Sequence, residues 1–207
     1  MEIGDYIVHI VDDEEPVRKS LAFMLSIEGF TVRIHESATA FLATAPNLRN
    51  SVLITDLRMP DLSGVDLLRR IEDLPNKIPS IVITGHGDVP MAVEAMKAGA
   101  LDFIEKPFED EVLIAAVKRA AGEISDISEG ALDVGAIRSR FETLTDREKQ
   151  VLGGVVAGLA NKSIAYDLDI SPRTVEVHRA SVMSKMQAKS LPELVRMTLA
   201  AGIESEK

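Results

Sequence analysis

Five side chains within the first 106 residues could together carry out phosphoryl transfer. Asp12 and Asp13 stand side by side, Asp56 adds a third carboxylate, Thr84 a hydroxyl and Lys106 an amine. The aspartates and Lys106 follow short apolar, β-branched runs and Thr84 ends one, so all are expected at strand ends. Carboxylates brought together repel one another and stay ionised only beside a cation. Mg²⁺ suits them, because it prefers hard oxygen ligands, keeps several waters and shares phosphate oxygens. A carboxylate beside such an ion can attack a phosphoryl group and form an aspartyl phosphate; a metal, an ammonium and a hydroxyl then hold its terminal oxygens. Singly, each residue is ordinary, since an Asp after a strand is often only a helix N-cap and Lys106 before Pro107 could be a solvated loop lysine. The chemistry rests on their joint placement.

That placement follows from the elements. Strands are expected at 6–11, 31–35, 51–55, 80–84 and 100–104, with helical periodicity near 15–28, 38–45, 63–74, 89–98 and 110–122. Five βα repeats imply a doubly wound α/β fold: a parallel sheet in the flavodoxin-like order 2-1-3-4-5, covered on both faces and joined by right-handed crossovers. Ligands of such sheets gather at the carboxyl ends of the strands, where the three aspartates, Thr84 and Lys106 all fall. Residues 1–122 are therefore expected to form one domain and 123–137, rich in Gly, Ser and acids, a linker. Residues 138–207 show no strand pattern and are expected to form an all-α domain.

The composition bounds the alternatives. A chain of 207 residues has room for two domains, and its 46% apolar and 27% charged content is that of a globular protein with aliphatic cores, since Trp is absent. There is no Cys, so neither disulfides nor thiolate metal sites are available, which fits a reducing cytoplasm. The N-terminus carries Glu2 and Asp5 rather than a basic, apolar leader, and no long apolar run occurs, so no membrane association is expected. The net charge of −10 opposes indiscriminate nucleic-acid binding, but the acids concentrate in the first 125 residues. Between 170 and 190, Arg173, Arg179, Lys185 and Lys189 face only Glu176, a local balance that suits a phosphate backbone.

The C-terminal segment carries helix punctuation. Thr145 with Glu148 reads as a capping box, Gly158 can close that helix in the left-handed region, Asn161 can cap the next, and Ser171-Pro172 sets the start of another. The spacing gives a helix, a tight turn and a second helix whose exposed face is expected to carry Arg173, Thr174, Glu176, His178, Arg179 and Lys185. Such a helix suits the major groove.

The strings Ile-Val-Asp12-Asp13-Glu-Glu-Pro-Val-Arg, Thr-Asp56-Leu-Arg-Met-Pro60-Asp-Leu-Ser-Gly64, Ile-Thr84-Gly-His-Gly-Asp and Phe103-Ile-Glu-Lys106-Pro107-Phe resemble the motifs of two-component response-regulator receivers over residues 5–122. The run from Gly85 to Ala100 is similar to FixJ-type nitrogen-fixation regulators in particular. The resemblance implies that Asp56 accepts phosphate from a histidine kinase, that Asp12, Asp13 and Asp56 with the backbone carbonyl of Arg58 hold Mg²⁺, and that Thr84 and Phe103 form the switch. Residues 144–189 look like the LuxR/NarL-type four-helix domain, whose recognition helix corresponds to 172–186. It implies phosphate or base contacts from Lys162, Thr174, His178, Arg179 and Lys185, with Val175 facing the groove. Ile164, Ala165, Leu168, Ile170, Val177, Val182 and Met186 are expected in or near the core. Further implications are a haem-bearing, oxygen-sensing kinase as donor, promoters of nitrogen-fixation or microaerobic genes as targets, and RNA polymerase as a partner.

Two other classes fail on named residues. An aspartate-nucleophile phosphatase needs an acid two residues after its nucleophile, where this chain has Arg58. A nucleotide-binding domain needs a glycine-rich phosphate cradle after the first strand, where this chain has Asp12-Asp13-Glu14-Glu15. Phosphorylation is expected to drive homodimerisation through the helix at 89–98 and the strand at 100–104, which the switch residues flank. Val93, with Ala92 and Met96, would supply an apolar patch there, and Glu94, Lys97 and Asp102 a polar rim.

Overall fold

The computed structural model describes residues 6–74, 76–85, 89–125 and 134–203. They form two compact units, one built on a sheet and one all-helical. In chain order the elements are β1 (Ile7–Val11), α1 (Glu15–Ile27), β2 (Thr31–His35), α2 (Ala38–Leu42), β3 (Ser51–Asp56), α3 (Gly64–Glu72), β4 (Ser80–Thr84), α4 (Val89–Lys97), β5 (Asp102–Glu105) and α5 (Asp110–Ser125). They continue as α6 (Val134–Glu142), α7 (Asp146–Val156), α8 (Asn161–Asp167), α9 (Pro172–Met186) and α10 (Leu191–Ala200).

The five strands form one parallel sheet in the order β2-β1-β3-β4-β5, the doubly wound arrangement implied by the repeats. Because side chains alternate along a strand, each strand feeds both faces. Val8, Ile10, Val52, Ile54, Ile81, Ile83 and Ile104 pack on one face beneath Leu21 and Leu25 of α1 and Leu113, Ala116, Val117 and Ala120 of α5. Each buried Val, Leu or Ile among them contributes about 1.5–3 kcal/mol. His9, Val11, Leu53, Thr55 and Val82, all fully buried, belong to the alternate positions. There His9 stacks on His35 with ring centroids 5.1 Å apart, and Phe41 of α2 lies edge-on to both. His9 Nδ1 and His35 Nε2 are 2.9 Å apart, while His9 Nε2 has no hydrogen-bond partner among the described residues. Burial, with smaller contributions from His35 and Arg33, brings the His9 pKa down to about 4.

Among the described residues the helical unit runs from α6 to α10; α7, α8, α9 and α10 are the four helices expected of the C-terminal domain, and α6 precedes them. Helix takes both ends of the expected linker, since α5 reaches Ser125 and α6 begins at Val134; residues 126–133 lie outside the described set. Thr145 and Glu148 close the expected capping box on α7. Gly158, at φ +81°, follows α7 in the left-handed region. Ser171 caps α9 by accepting from Thr174 N, and Pro172 fills the first turn where no N–H is required. Asn161 does not cap α8: the cap position is Ala160, and Asn161 stands one residue inside. One apolar cluster joins Ile137, Leu152, Val156, Val182, Met186 and Leu194, and a second joins Val151, Val155, Ile164, Ala165 and Val175.

Candidate functional site: an acidic sheet edge and a helix-turn-helix surface

The parallel register brings the strand ends level. Val11 lies opposite Thr55, Asp56 opposite Ile83 and Thr84 opposite Glu105, so Asp12, Asp56, Thr84 and Lys106 emerge on one edge. Lys106 Nζ bridges the two inner carboxylates, 3.2 Å from Asp12 Oδ2 and 3.4 Å from Asp56 Oδ1. Asp12 is 3% exposed, and its other side-chain oxygen accepts from Glu14 N at 2.8 Å. Asp13 is exposed. Asp56 Oδ2 accepts from Arg58 N at 2.6 Å. Burial raises the Asp56 pKa above the ordinary aspartate value; the Arg58 N–H and Lys106 pull it down, and Asp12 pushes it up. The ammonium counters desolvation and the repulsion between the two carboxylates only in part, and the balance stays on the side of burial.

The loop after Asp56 depends on Gly64. A Cβ there would lie 2.3 Å from the Asp56 carbonyl oxygen and 3.0 Å from Leu57 Cα, backbone atoms that cannot give way. Gly64 N donates to Leu57 O at 2.9 Å, which folds the loop back on the strand end. Lys106 N donates to the Thr84 carbonyl at 2.8 Å, tying β4 to the segment that carries the lysine, and the Lys106–Pro107 peptide is cis. Thr84 is buried and Phe103, opposite Val82 on β5, is half-buried. Residues 86–88 of the motif after Thr84 lie outside the described set.

The donor set suits a hard cation. Among the described residues no group of three His, Cys, Asp or Glu side chains is placed to hold a metal, so the triad expected from Asp12, Asp13 and Asp56 is not assembled. What converges is a pair of carboxylates, Asp12 and Asp56, both on Lys106 Nζ. One or two carboxylates, a backbone carbonyl and waters meet the needs of Mg²⁺, which is seldom caged by protein alone.

Sequence reasoning missed Arg18. It occupies the buried row of α1 with Leu21 and Leu25, and its Nη1 donates to the Asp12 carbonyl at 2.6 Å. The signal was available: positions 18, 21 and 25 have helical core spacing, and a cation on that row needs a partner inside.

The expected apolar patch on α4 is not exposed. Val93 is 1% exposed, and Ala92 and Met96 are also buried, whereas Glu94 and Lys97 are exposed. Spacing by three and four puts the apolar residues on one side of the helix, and that side is the covered one. Asp102, expected in the polar rim, forms an ion pair with Arg119.

On α9 the two valines exchange the places expected of them. Val175 is 0% exposed and packs in the core with Ile164 and Ala165, so it does not face a groove; Val177, expected near the core, is 62% exposed. Buried positions 175, 182 and 186 define the inner side of the helix. At 100° per residue, Arg173, Glu176, Val177, Ala180 and Ser184 occupy the opposite side, and all five are exposed. Lys162 is exposed, His178 half-buried, and Thr174 bonds back to Ser171 at the cap. Arg179 and Lys185 turn inward. Arg179 Nη1 donates to Asn161 Oδ1 at 2.7 Å, and Lys185 Nζ donates to both Glu148 carboxylate oxygens at 2.9 and 2.7 Å. Ser181 Oγ donates to the same carboxylate at 2.5 Å. Lys185, then Ser181 and the Thr145 N–H, hold the Glu148 pKa down to about 2.

Comparison with known proteins matches both units. Residues 8–118 fit the response regulator receiver domain, and residues 142–198 fit the bacterial regulatory proteins of the luxR family. The chain is 71% identical over 198 residues to the transcriptional regulatory protein FixJ of Rhizobium meliloti (strain 1021), covering 96% of this chain and 97% of that protein. A crystal structure of FixJ-N superposes with TM-score 0.56 at 73% identity, over 58% of this chain and 96% of that one. Full-length FixJ from B. japonicum does so with TM-score 0.57 at 46% identity, over 95% of this chain and 97% of that one. The chain therefore belongs to the two-component response regulators that join a receiver domain to a luxR-family DNA-binding domain, and within them it is of the FixJ type.

Proposed function

We propose that this chain is a phosphorylation-switched transcriptional activator in which Asp56 accepts a phosphoryl group from a histidine kinase. The observation that carries this reading is the single ammonium of Lys106 shared between Asp12 and Asp56 at the ends of β1 and β3. An oxygen of Asp56 attacks the phosphorus, and the bond from phosphorus to the donor's imidazole nitrogen breaks. The electron pair leaves with the imidazole, which takes up a proton. Asp12, Asp13 and Asp56, with the Arg58 carbonyl, would hold Mg²⁺, and the ion would supply positive charge against which the transferring group is neutralised. Lys106 then moves from the carboxylate pair to a phosphoryl oxygen, and Thr84 supplies a hydroxyl to another. The acyl phosphate hydrolyses in the same site, which makes the signal self-limiting; no external substrate is turned over.

The new group brings close to two negative charges and three acceptors, so it draws Thr84 towards it and leaves space that Phe103 fills. β5 and α4 carry that change. Since Val93 is covered, pairing of two receivers through α4 and β5, with Glu94 and Lys97 at the rim, requires the apolar side of α4 to be uncovered. A homodimer presents two copies of α9 to half-sites one helical turn apart.

Lys162, Arg173 and His178 are the proposed phosphate and base contacts, and Val177 rather than Val175 meets the groove. The likeness to a transcriptional regulatory protein supports control of transcription as the output; to this we add nitrogen-fixation or microaerobic genes as targets, RNA polymerase as the partner at the promoter and a haem-bearing oxygen sensor as the kinase. Among the described residues no helix is long and apolar enough to cross a membrane. A regulator working on the chromosome acts in the cytoplasm.

The test is recovery of fragments from a sheared genomic DNA library by the full chain, with and without Mg²⁺ and acetyl phosphate. Enrichment of a common sequence that grows at least about tenfold on phosphorylation supports the reading; equal recovery in both conditions overturns the switch.

A further inference from the structure

A buried cation stands behind the acidic pair, and the reactions above do not use it. Arg18 is 8% exposed and holds a place on α1 that its neighbours Leu21 and Leu25 give to hydrocarbon. A guanidinium in such a place is costly unless it is paired. Its partner is the backbone carbonyl of Asp12, met by Nη1 at 2.6 Å in a buried, charge-assisted bond. β1 ends at Val11, and beyond it the Asp12 N–H reaches the His35 carbonyl only at 3.5 Å, so the sheet fixes Asp12 weakly. The remaining restraints are on the side chain: Oδ1 takes the Glu14 N–H and Oδ2 the Lys106 ammonium. Of these, Lys106 must leave for the phosphoryl group when the site works. Arg18 grips the carbonyl instead, and its bond survives that departure.

We infer that Arg18 is a positioning residue for the phosphoacceptor site, fixing Asp12 for Mg²⁺ from behind without touching metal or phosphate. The inference rests on the phosphoacceptor reading and adds to it a residue outside the ligand set. It makes a prediction opposite in sign to simple electrostatics. A buried positive charge near two carboxylates repels a second cation, so if Arg18 acted by charge alone, Arg18→Met would tighten Mg²⁺ binding. If it acts by position, losing it loosens Asp12 and weakens Mg²⁺ binding, and residues that orient ligands cost roughly 10–100-fold in metal affinity when removed.

The experiment is a calorimetric Mg²⁺ titration of the full chain without any phosphodonor, for the unaltered protein, Arg18→Met and Arg18→Lys, with thermal unfolding of each. The inference expects a Kd for Mg²⁺ raised at least about tenfold in Arg18→Met, and a smaller rise in Arg18→Lys, which keeps the charge and one donor. Should Arg18→Met not fold, Arg18→Lys alone carries the comparison. An unchanged or lower Kd overturns the inference, even if the melting temperature falls, because that is the mark of a purely structural arginine. The same samples with acetyl phosphate and Mg²⁺ separate the two readings. An unaltered chain that binds Mg²⁺ yet takes up no phosphate defeats the phosphoacceptor reading; one that is labelled while Arg18→Met matches it in Kd defeats only the role of Arg18.

Discussion

Lys185 is clamped to Glu148, its ammonium 2.9 and 2.7 Å from the two carboxylate oxygens, so the last turn of α9 is anchored to the first turn of α7. Glu148 is buried and also completes the capping box of α7. Removing the ammonium leaves a buried carboxylate short of its strongest partner, which costs about 1–3 kcal/mol. Lys185→Ala is therefore expected to lower the unfolding free energy of the helical unit by that amount. The salt dependence of its DNA affinity should stay unchanged, because a lysine committed inside releases no counterion from DNA. Unfolding and binding curves at several salt concentrations check both halves. The contribution of Glu148 is complete above its ordinary carboxylate pKa and fades as pH falls towards about 2, where the folded-state group protonates.

The two valines of α9 give a contrast within one helix. Val175→Ala opens a cavity in the cluster with Ile164 and Ala165 and should destabilise by about 2–3 kcal/mol. Val177→Ala, on the exposed side, should leave stability within about 0.5 kcal/mol and instead weaken specific DNA binding by about 1 kcal/mol through a lost apolar base contact. Denaturation and affinity measured on both variants give the four numbers required.

His9 sets a pH dependence whose sign is fixed by burial. Its folded pKa is lowered to about 4 from an ordinary 6.5, so between those values the unfolded chain binds more protons than the folded one. Stability should fall as pH drops through that window, by roughly 3 kcal/mol from this group. His35, whose pKa burial also lowers, adds in the same direction. In His9→Leu the slope of unfolding free energy against pH between about 4 and 6.5 should be clearly shallower than in the unaltered chain.

Much of this was legible in the sequence, and the exceptions share a cause. Strand ends are marked by β-branched runs that stop at charged residues, so Asp12, Asp56, Thr84 and Lys106 could be placed on one edge without coordinates. Caps are equally local: Thr145, Ser171 and Gly158 need only a few neighbours. What failed depended on the rotation of a helix about its own axis. Val175 and Val177 are the same residue type two positions apart, and only the partners on α8 decide which goes inside. Arg179 and Lys185 look like DNA contacts by charge, but Asn161 and Glu148 lie 18 and 37 residues away in sequence and capture them. Arg18 shows core spacing in the sequence, but its partner is a backbone carbonyl, so residue types alone do not name what it holds.

Gly64→Ala tests the loop that presents Asp56. Its Cβ would collide with the Asp56 carbonyl at 2.3 Å, so the loop must shift and carry the Arg58 N–H away from the carboxylate. Phosphorylation by acetyl phosphate should slow by at least about tenfold, since misplacing a reacting group by an ångström costs up to about a hundredfold. Initial labelling rates of the folded variant at saturating Mg²⁺ give the answer.

Intact-mass measurement decides whether Asp56 is the phosphoacceptor. Incubated with Mg²⁺ and acetyl phosphate, the full chain should gain the mass of one phosphoryl group, and Asp56→Asn, which keeps the shape but loses the nucleophile, should gain none. The unaltered chain should also lose that mass when the metal is chelated before the donor is added. Stoichiometric labelling of Asp56→Asn, or an unaltered chain that remains unlabelled, would contradict the account.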